Sequence, residues 1–298
     1  MESKGYNVLG VLGSGSFGQV FKVSKIGSTM EYAIKVIDKN RLNHPKLIEY
    51  INSEIAIMKK INHPNILKCV DSFESPNAIF IVINFCNGGD LADYLSTHGK
   101  LGEGESIYFL KQILNGFAEL LQHQIMHRDF KPENVFMHNG NLILGDFGLA
   151  KNGIAIGMTV AGTPMTSAPE VLLSRGDTVY TNKVDIWSIG VTLYKMLFGQ
   201  YPWRPLTGGQ LEQFIVQQEG DRLPFPNNTM VSEEMKNLLR RMIKKEPHLR
   251  IGWKELFNHP VLKCNYDFER ECKNIRLDSI SNEALVDLLF SKYSKLNF

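Results

Sequence analysis

The 298-residue chain has no apolar run long enough to span a bilayer, no CxxC pair, no excess of one charge and no internal repeat. Each absence excludes something. A spanning helix needs about 20 consecutive apolar residues, and the opening Met1-Glu2-Ser3-Lys4 carries no apolar leader core. The chain is therefore expected to be soluble and cytoplasmic. Its four cysteines, Cys69, Cys86, Cys264 and Cys272, lack metal-ligand spacing, which points to free thiols in a reducing compartment. Lys and Arg total 33 against 31 Asp and Glu, a formal net charge of +2. Composition thus gives no reason to expect nucleic acid or an anionic membrane as partner. The string GxxxxGK followed by Ser or Thr is also missing, which removes the Walker type of phosphate loop.

What is present is enough apolar material, 43% of residues, for more than one core, so two lobes are expected. From Tyr6 to about Cys86 the apolar residues fall in short β-branched and aromatic runs, at 8–12, 20–23, 32–37 and 79–83, which read as strands. One helical pattern interrupts them over 46–61, with Leu47, Ile51, Met58 and Ile61 at steps of three and four. Beyond Asn87-Gly88-Gly89 the period becomes helical, at 90–97, 104–124, 183–198, 208–218 and 232–244. The fold class is α+β: a small sheet lobe with one helix over 1–86, then a larger, mainly helical lobe from residue 87 onward.

Four constellations carry chemistry. Gly13-Ser14-Gly15-Ser16-Phe17-Gly18 is a GxGxxG string that suits a dinucleotide fold, a nucleotide-covering hairpin or a simple turn. A dinucleotide fingerprint opens a helix, whereas Val20-Phe21-Lys22-Val23 continues as a strand. The glycines therefore cap a hairpin whose backbone can approach a triphosphate. Next, Glu54 interrupts the apolar stripe of its helix, and Lys35 sits between Ala33-Ile34 and Val36-Ile37 on a strand. A carboxylate on a buried face needs a cation, so the two are expected to pair. The pair is either a plain structural ion pair or a lysine held to meet the α- and β-phosphates.

The third constellation is His127-Arg128-Asp129-Phe130-Lys131-Pro132-Glu133-Asn134, followed at hairpin distance by Asp146-Phe147-Gly148. Asn139-Gly140 between two apolar runs predicts a two-residue hairpin turn. That register puts Asn134 opposite Gly145, one step from Asp146. A carboxamide oxygen beside a carboxylate suits Mg²⁺, which takes few protein oxygens and keeps phosphate and water for the rest. Asp129 is placed to accept the proton of an attacking hydroxyl, and Lys131 to balance charge on a transferring phosphoryl group. The fourth is the polar segment from Asp146 to Ala168-Pro169-Glu170, with Thr159, Thr163, Thr166 and Ser167 as modifiable hydroxyls. A phosphate there would need basic partners, and Arg128 and Lys151 are the candidates. The alternative is that these threonines are ordinary solvated loop residues.

Together these strings resemble the eukaryotic protein kinases. The resemblance runs from Tyr6 to Leu262 through Ala33-Ile34-Lys35, Glu54, the His127 to Asn134 segment, Asp146-Phe147-Gly148, Ala168-Pro169-Glu170, Asp185-Ile186-Trp187-Ser188-Ile189-Gly190 and Arg250. It implies the bilobal kinase fold, with an antiparallel small lobe over 1–86, a large lobe over 87–262 and an extension over 263–298 beyond the resemblance. It also implies ATP with Mg²⁺ (Mn²⁺ as a substitute) and protein substrates; Lys131 implies the serine/threonine class. It further implies that Asp185 braces the catalytic loop and Glu170 pairs with Arg250. Ile83 would be the gatekeeper and Asn84 and Cys86 the hinge contacts to adenine. Val20, Ala33 and Phe136 would sandwich the ring, and Asp90 would reach the ribose.

Asn84 to Leu95 is similar to the autophagy-initiating, unc-51-like kinases, with Glu133, Thr163 and Thr166-Ser167 as departures and Phe130 in place of a usual Leu. Leu149 implies a preference for serine acceptors, and Thr159 an activating phosphosite. Glu133 would favour a basic residue upstream of the acceptor, whereas the subfamily implies hydrophobic selection. A pseudokinase scaffold and a small-molecule kinase are the rival readings. Residues 282–296 carry the spacing of an amphipathic helix, suited to docking on the chain itself or to a regulatory partner.

Overall fold

The computed structural model describes residues 1–15, 18–42, 45–145, 165–173, 181–203, 223–227 and 229–263. Five antiparallel strands form one sheet in the order β1-β2-β3-β5-β4: β1 (Tyr6–Gly15), β2 (Gly18–Lys25), β3 (Glu31–Asp38), β4 (Cys69–Glu74) and β5 (Ala78–Asn84). Helix α1 (Pro45–Lys60) separates β3 from β4. The helical part follows: α2 (Leu91–His98), α3 (Glu103–Gln122), α4 (Pro169–Leu172), α5 (Lys183–Phe198) and α6 (Glu233–Met242). A two-stranded hairpin, β6 (Val135–His138) and β7 (Asn141–Leu144), lies between α3 and α4. The expected sheet lobe and helical lobe are both present. The helix expected over 208–218 and the extension from residue 264 onward lie outside the described residues. Among the described residues, no helix is long and apolar enough to cross a membrane.

The sequence pattern marks four strands in the sheet and the structure has five. The strand without a sequence signal is β4, whose Asp71, Ser72 and Glu74 stand among its apolar residues. It lies at the sheet edge, where charged side chains are the usual guard against further pairing. Of the face expected for helix α1, Ile51, Met58 and, just past its end, Ile61 reach the core. Ile48, Ile51, Ile55 and Met58 meet the core, and Glu54 is buried among them at 5% exposure.

Each face of the sheet has its own apolar cluster, because alternate strand residues point to opposite sides. The outer face packs Tyr6, Val23, Tyr32, Ile34 and Val82, with Phe73 stacked between Tyr6 and Phe80 at ring distances of 6.3 and 4.9 Å. The inner face joins α1 and continues through Ile66 into the helical lobe and the β6–β7 hairpin. Asn65 fixes that passage. Its Nδ2 donates to the Leu142 carbonyl at 2.8 Å, and its Oδ1 accepts from Asn115 Nδ2 at 2.7 Å. The Leu67 and Leu144 backbones continue the join, Leu67 N–H donating to Leu144 O at 2.7 Å.

Candidate active site

The hairpin register is the one that Asn139-Gly140 predicts. Val135 faces Leu144 and His138 faces Asn141, and both turn residues have positive φ, 49° and 77°, as a type I′ turn requires. The Gly145 N–H donates to the Asn134 carbonyl at 3.0 Å. Asn134 thus lies opposite Gly145, next to the start of Asp146, which itself lies outside the described residues.

Asp185, in the first turn of α5 and 1% exposed, braces the loop as expected. Its Oδ2 accepts the His127 N–H at 2.9 Å and its Oδ1 the Arg128 N–H at 2.8 Å. Burial pushes this carboxyl up, while His127, the two backbone donors and Arg128 oppose the shift. Arg128 occupies left-handed backbone, φ 66°, a conformation costing about 1–3 kcal/mol for a non-glycine residue. Two hydrogen bonds to a buried carboxylate, each contributing about 1.5–3 kcal/mol, are enough to hold it. His127 is fully buried and its Nε2 lies 3.1 Å from the Gly145 carbonyl. Since a carbonyl only accepts, Nε2 carries the proton. Phe130 fits as a full-sized ring, edge-on to Phe117 at 5.1 Å and to His127 at 5.7 Å.

Three of the residues expected to act on substrate and metal, Asp129, Lys131 and Asn134, meet one another on this loop. Lys131 Nζ donates to Asp129 Oδ2 at 2.9 Å. Asn134 Nδ2 donates to Asp129 Oδ2 at 3.0 Å and to its carbonyl at 2.8 Å. Asp129 Oδ1 has no hydrogen bond among the described residues and is available to an incoming hydroxyl. Because Asn134 commits its amide nitrogen twice, its Oδ1 faces the other way, as a hard oxygen suited to a divalent cation. Asn134 thus offers one oxygen of the expected pair, and the other residue, Asp146, lies outside the described residues.

β1 and β2 form the expected hairpin, with Gly13 opposite Val20, Ser14 opposite Gln19 and Gly15 opposite Gly18; Ser16 and Phe17 lie outside the described residues. Gly18 has a structural reason beyond close approach to phosphate, because a Cβ there would overlap the Val36 carbonyl, whereas one at Gly13 would meet nothing within 4 Å. Lys35 sits on β3 between Val20 of β2 and Ile81 of β5. Ala33 pairs with Ile83, which puts the residue expected as gatekeeper beside the small residue expected over adenine. The Asn84 N–H donates to the Lys68 carbonyl at 3.3 Å, and Asn84 pairs with Tyr32 at the end of β5. Burial pushes the Cys86 thiol up to about 11. Asp90 caps α2 by accepting the Asp93 N–H at 2.9 Å, a role that sequence reasoning did not foresee beside the ribose.

Sequence reasoning also missed how the hinge is tied down. Gly88 N–H donates to Met137 O and Met137 N–H to Gly89 O, both at 2.9 Å. Asn87 and Asn139 exchange bonds at 2.8 and 3.0 Å. The signal was in the sequence, since Asn-Gly pairs mark both segments. Toward the substrate side, Glu170 binds Arg250 through two bonds of 2.8 and 3.1 Å. Thr166 is buried, its carbonyl accepting from Ser188 Oγ at 2.8 Å. Burial, with Glu133 nearby, raises the Tyr201 phenol, and Lys195 donates to that hydroxyl at 3.2 Å. Thr159, Thr163 and Lys151 lie outside the described residues.

Comparison with known proteins follows the same lines. Residues 6–262 match the protein kinase domain model. The chain is 36% identical over 265 residues to serine/threonine-protein kinase atg1 of Dictyostelium discoideum, covering 85% of this chain and 38% of that protein. It is 34% identical to serine/threonine-protein kinase ATG1c of Arabidopsis thaliana, covering 89% and 37%. It is 35% identical to serine/threonine-protein kinase cds1 of Schizosaccharomyces pombe, covering 87% and 58%. The chain thus spans well under two thirds of the length of these relatives.

Proposed function

Because this chain belongs to the protein kinase domain family, we propose that it transfers the γ-phosphoryl group of ATP to serine or threonine hydroxyls of protein substrates. The observation that carries this reading is the arrangement around Asp129: Lys131 and Asn134 fix one carboxylate oxygen and leave the other for the acceptor. Asp129 Oδ1 takes up the acceptor proton as the oxygen turns toward phosphorus. Lys131 steadies the charge on the transferring group, and Lys35, braced by Glu54, holds the α- and β-phosphates. Gly13 to Gly18 cover the phosphates. Val20, Ala33 and Phe136 enclose adenine, with Ile83, Asn84 and Cys86 at its edge and Asp90 toward the ribose.

Asn134 and Asp146 would hold Mg²⁺, with Mn²⁺ as a substitute; when bound, the cation neutralises phosphate charge. A metal-dependent ATP turnover assay with Asp146→Ala as control tests the reading. Turnover in the wild type that chelation and the substitution both abolish is expected, and equal activity in the two proteins refutes it.

The likeness to the two ATG1 proteins supports a cytoplasmic role in autophagy initiation. The organisation that goes with it is a small lobe over 1–86, a large lobe over 87–262 and a regulatory extension over 263–298, whose helix binds the chain or a partner. Thr159, with Thr163 beside it, is the activating site, and Arg128 and Lys151 receive its phosphate. The same likeness favours hydrophobic over basic selection upstream of the acceptor, even with Glu133 in the loop. A positional peptide scan with a strong arginine preference would reverse that assignment.

A further inference from the structure

Between the sheet lobe and the helical lobe the backbone is tied on either side of one short gap. On the sheet side Asn84 pairs with Tyr32 and donates its N–H to the Lys68 carbonyl at 3.3 Å. On the other side Asn87, Gly88 and Gly89 are held by the β6–β7 hairpin through Asn139 and Met137. Among the described residues, neither Phe85 nor Cys86 makes a backbone hydrogen bond. A change in the angle between the lobes is therefore taken up most easily at these two residues.

One side chain reaches that gap from the sheet. Phe21 and Val23 join the outer apolar cluster, so Val20 and Lys22 point to the inner face of β2. The Lys22 ammonium lies 4.5 Å from the centre of the Phe85 ring. Glu31, the diagonal neighbour of Lys22 on β3, holds the same ammonium at 2.8 Å. Glu31, Lys22 and Phe85 thus link β3, β2 and the hinge, two residues along β2 from Val20, which is expected to enclose adenine. The side chains of Lys22 and Glu31 are 30% and 42% exposed, so the contact is weak enough to open and close.

We propose that Lys22 over Phe85 is a latch on the hinge. Engaged, it holds β2 against the untied Phe85–Cys86 stretch and slows the departure of nucleotide; released, it lets the lobes part. Lys22 and Phe85 are then positioning residues. The latch rests on the phosphotransfer reading for its nucleotide, and on the contacts of Lys22 for its geometry.

The test is the dissociation of Mg·ADP from the immobilised full chain, followed by surface plasmon resonance, with backbone-amide relaxation dispersion on the nucleotide-free chain as a second readout. Lys22→Met keeps the apolar stem and removes the cation. It is expected to speed dissociation about three- to fivefold, the scale of one partly exposed cation–π contact, and to raise microsecond-to-millisecond exchange at Phe85 and Cys86. Lys22→Arg, whose guanidinium also stacks on a ring, is expected to restore both readouts to within about twofold. Phe85→Leu should match Lys22→Met, and the double variant should lose no more than either alone. A simple charge effect on bound phosphate would instead leave Phe85→Leu at the wild-type rate. That outcome, a wild-type rate in Lys22→Met, or additive losses in the double variant overturns the proposal. Should Phe85→Leu fail to fold, Phe85→Met takes its place in the cycle. A wild type that binds no Mg·ADP refutes the phosphotransfer reading, and relaxation dispersion then judges the latch: raised exchange in Lys22→Met supports it, and unchanged exchange refutes it.

Discussion

The catalytic loop and the glycine-rich hairpin carry motifs of similar clarity, yet they are built in opposite ways. Around the loop, His127, Phe130 and Asp185 are essentially without solvent contact, and the carboxylates of Asp185 and Asp129 are assigned to named donors. The hairpin is an edge of the sheet with Val8, Leu9, Val11 and Leu12 between 47% and 62% exposed. Its register shifts twice, between Val8 and Gly10 and between Val11 and Gly13. The difference teaches where pre-organisation is needed. On the proposed phosphotransfer reading, proton acceptance and metal binding tolerate little misplacement, which suits a loop bolted to α5. On the same reading a cover over the phosphates must admit and release nucleotide, and the described residues of the hairpin tip carry no side-chain hydrogen bonds like those that hold the loop.

Substitutions that respect or violate this contrast should separate the two regions. Asp129→Asn strikes the loop's reacting atom; kcat is expected to fall about 10³-fold with the melting temperature unchanged, and a large drop in melting temperature would mean that Asp129 is mainly structural. Glu170→Gln leaves the buried Arg250 guanidinium without its carboxylate, and chemical denaturation should register a loss of about 3 kcal/mol. At the hinge between the regions, the raised Cys86 thiol stays protonated through neutral pH. Its alkylation at pH 8, followed by peptide-resolved mass spectrometry, should run on the order of 100-fold slower than that of an exposed cysteine and accelerate only near pH 11. Within the hairpin, Gly18→Ala should cost about 1–3 kcal/mol of stability because its Cβ has no room beside Val36. Gly13→Ala, with open space around it, should change stability by no more than about 0.5 kcal/mol. A stability loss at Gly13 equal to that at Gly18 would erase the distinction.

The sequence was most informative where local chemistry dictates geometry. Asn139-Gly140 predicts the turn, the turn sets the register, and the register places Asn134 opposite Gly145. Buried charge was equally legible: Glu54 in an apolar stripe is indeed buried. Other features depend on partners distant in the chain. β4 carries edge-strand polarity and so resembles a loop. The Asn65 bonds to Leu142 and Asn115 span 77 and 50 residues, and nothing local distinguishes that asparagine from a solvated one. Gly18 reads as a phosphate-loop glycine, but its closest constraint is the neighbouring strand. Asp90 shows the same limit, since a carboxylate meant for a ribose and one capping a helix have identical sequence signatures.

The central claim is phosphoryl transfer to a protein hydroxyl, and mass spectrometry of a peptide mixture with serine, threonine and tyrosine acceptors, incubated with the chain and Mg·ATP, tests it most directly. The account predicts phosphoserine and phosphothreonine, with serine favoured, and none with Asp129→Asn. Bound nucleotide with no phosphopeptide, or equal phosphorylation by wild type and Asp129→Asn, would contradict it.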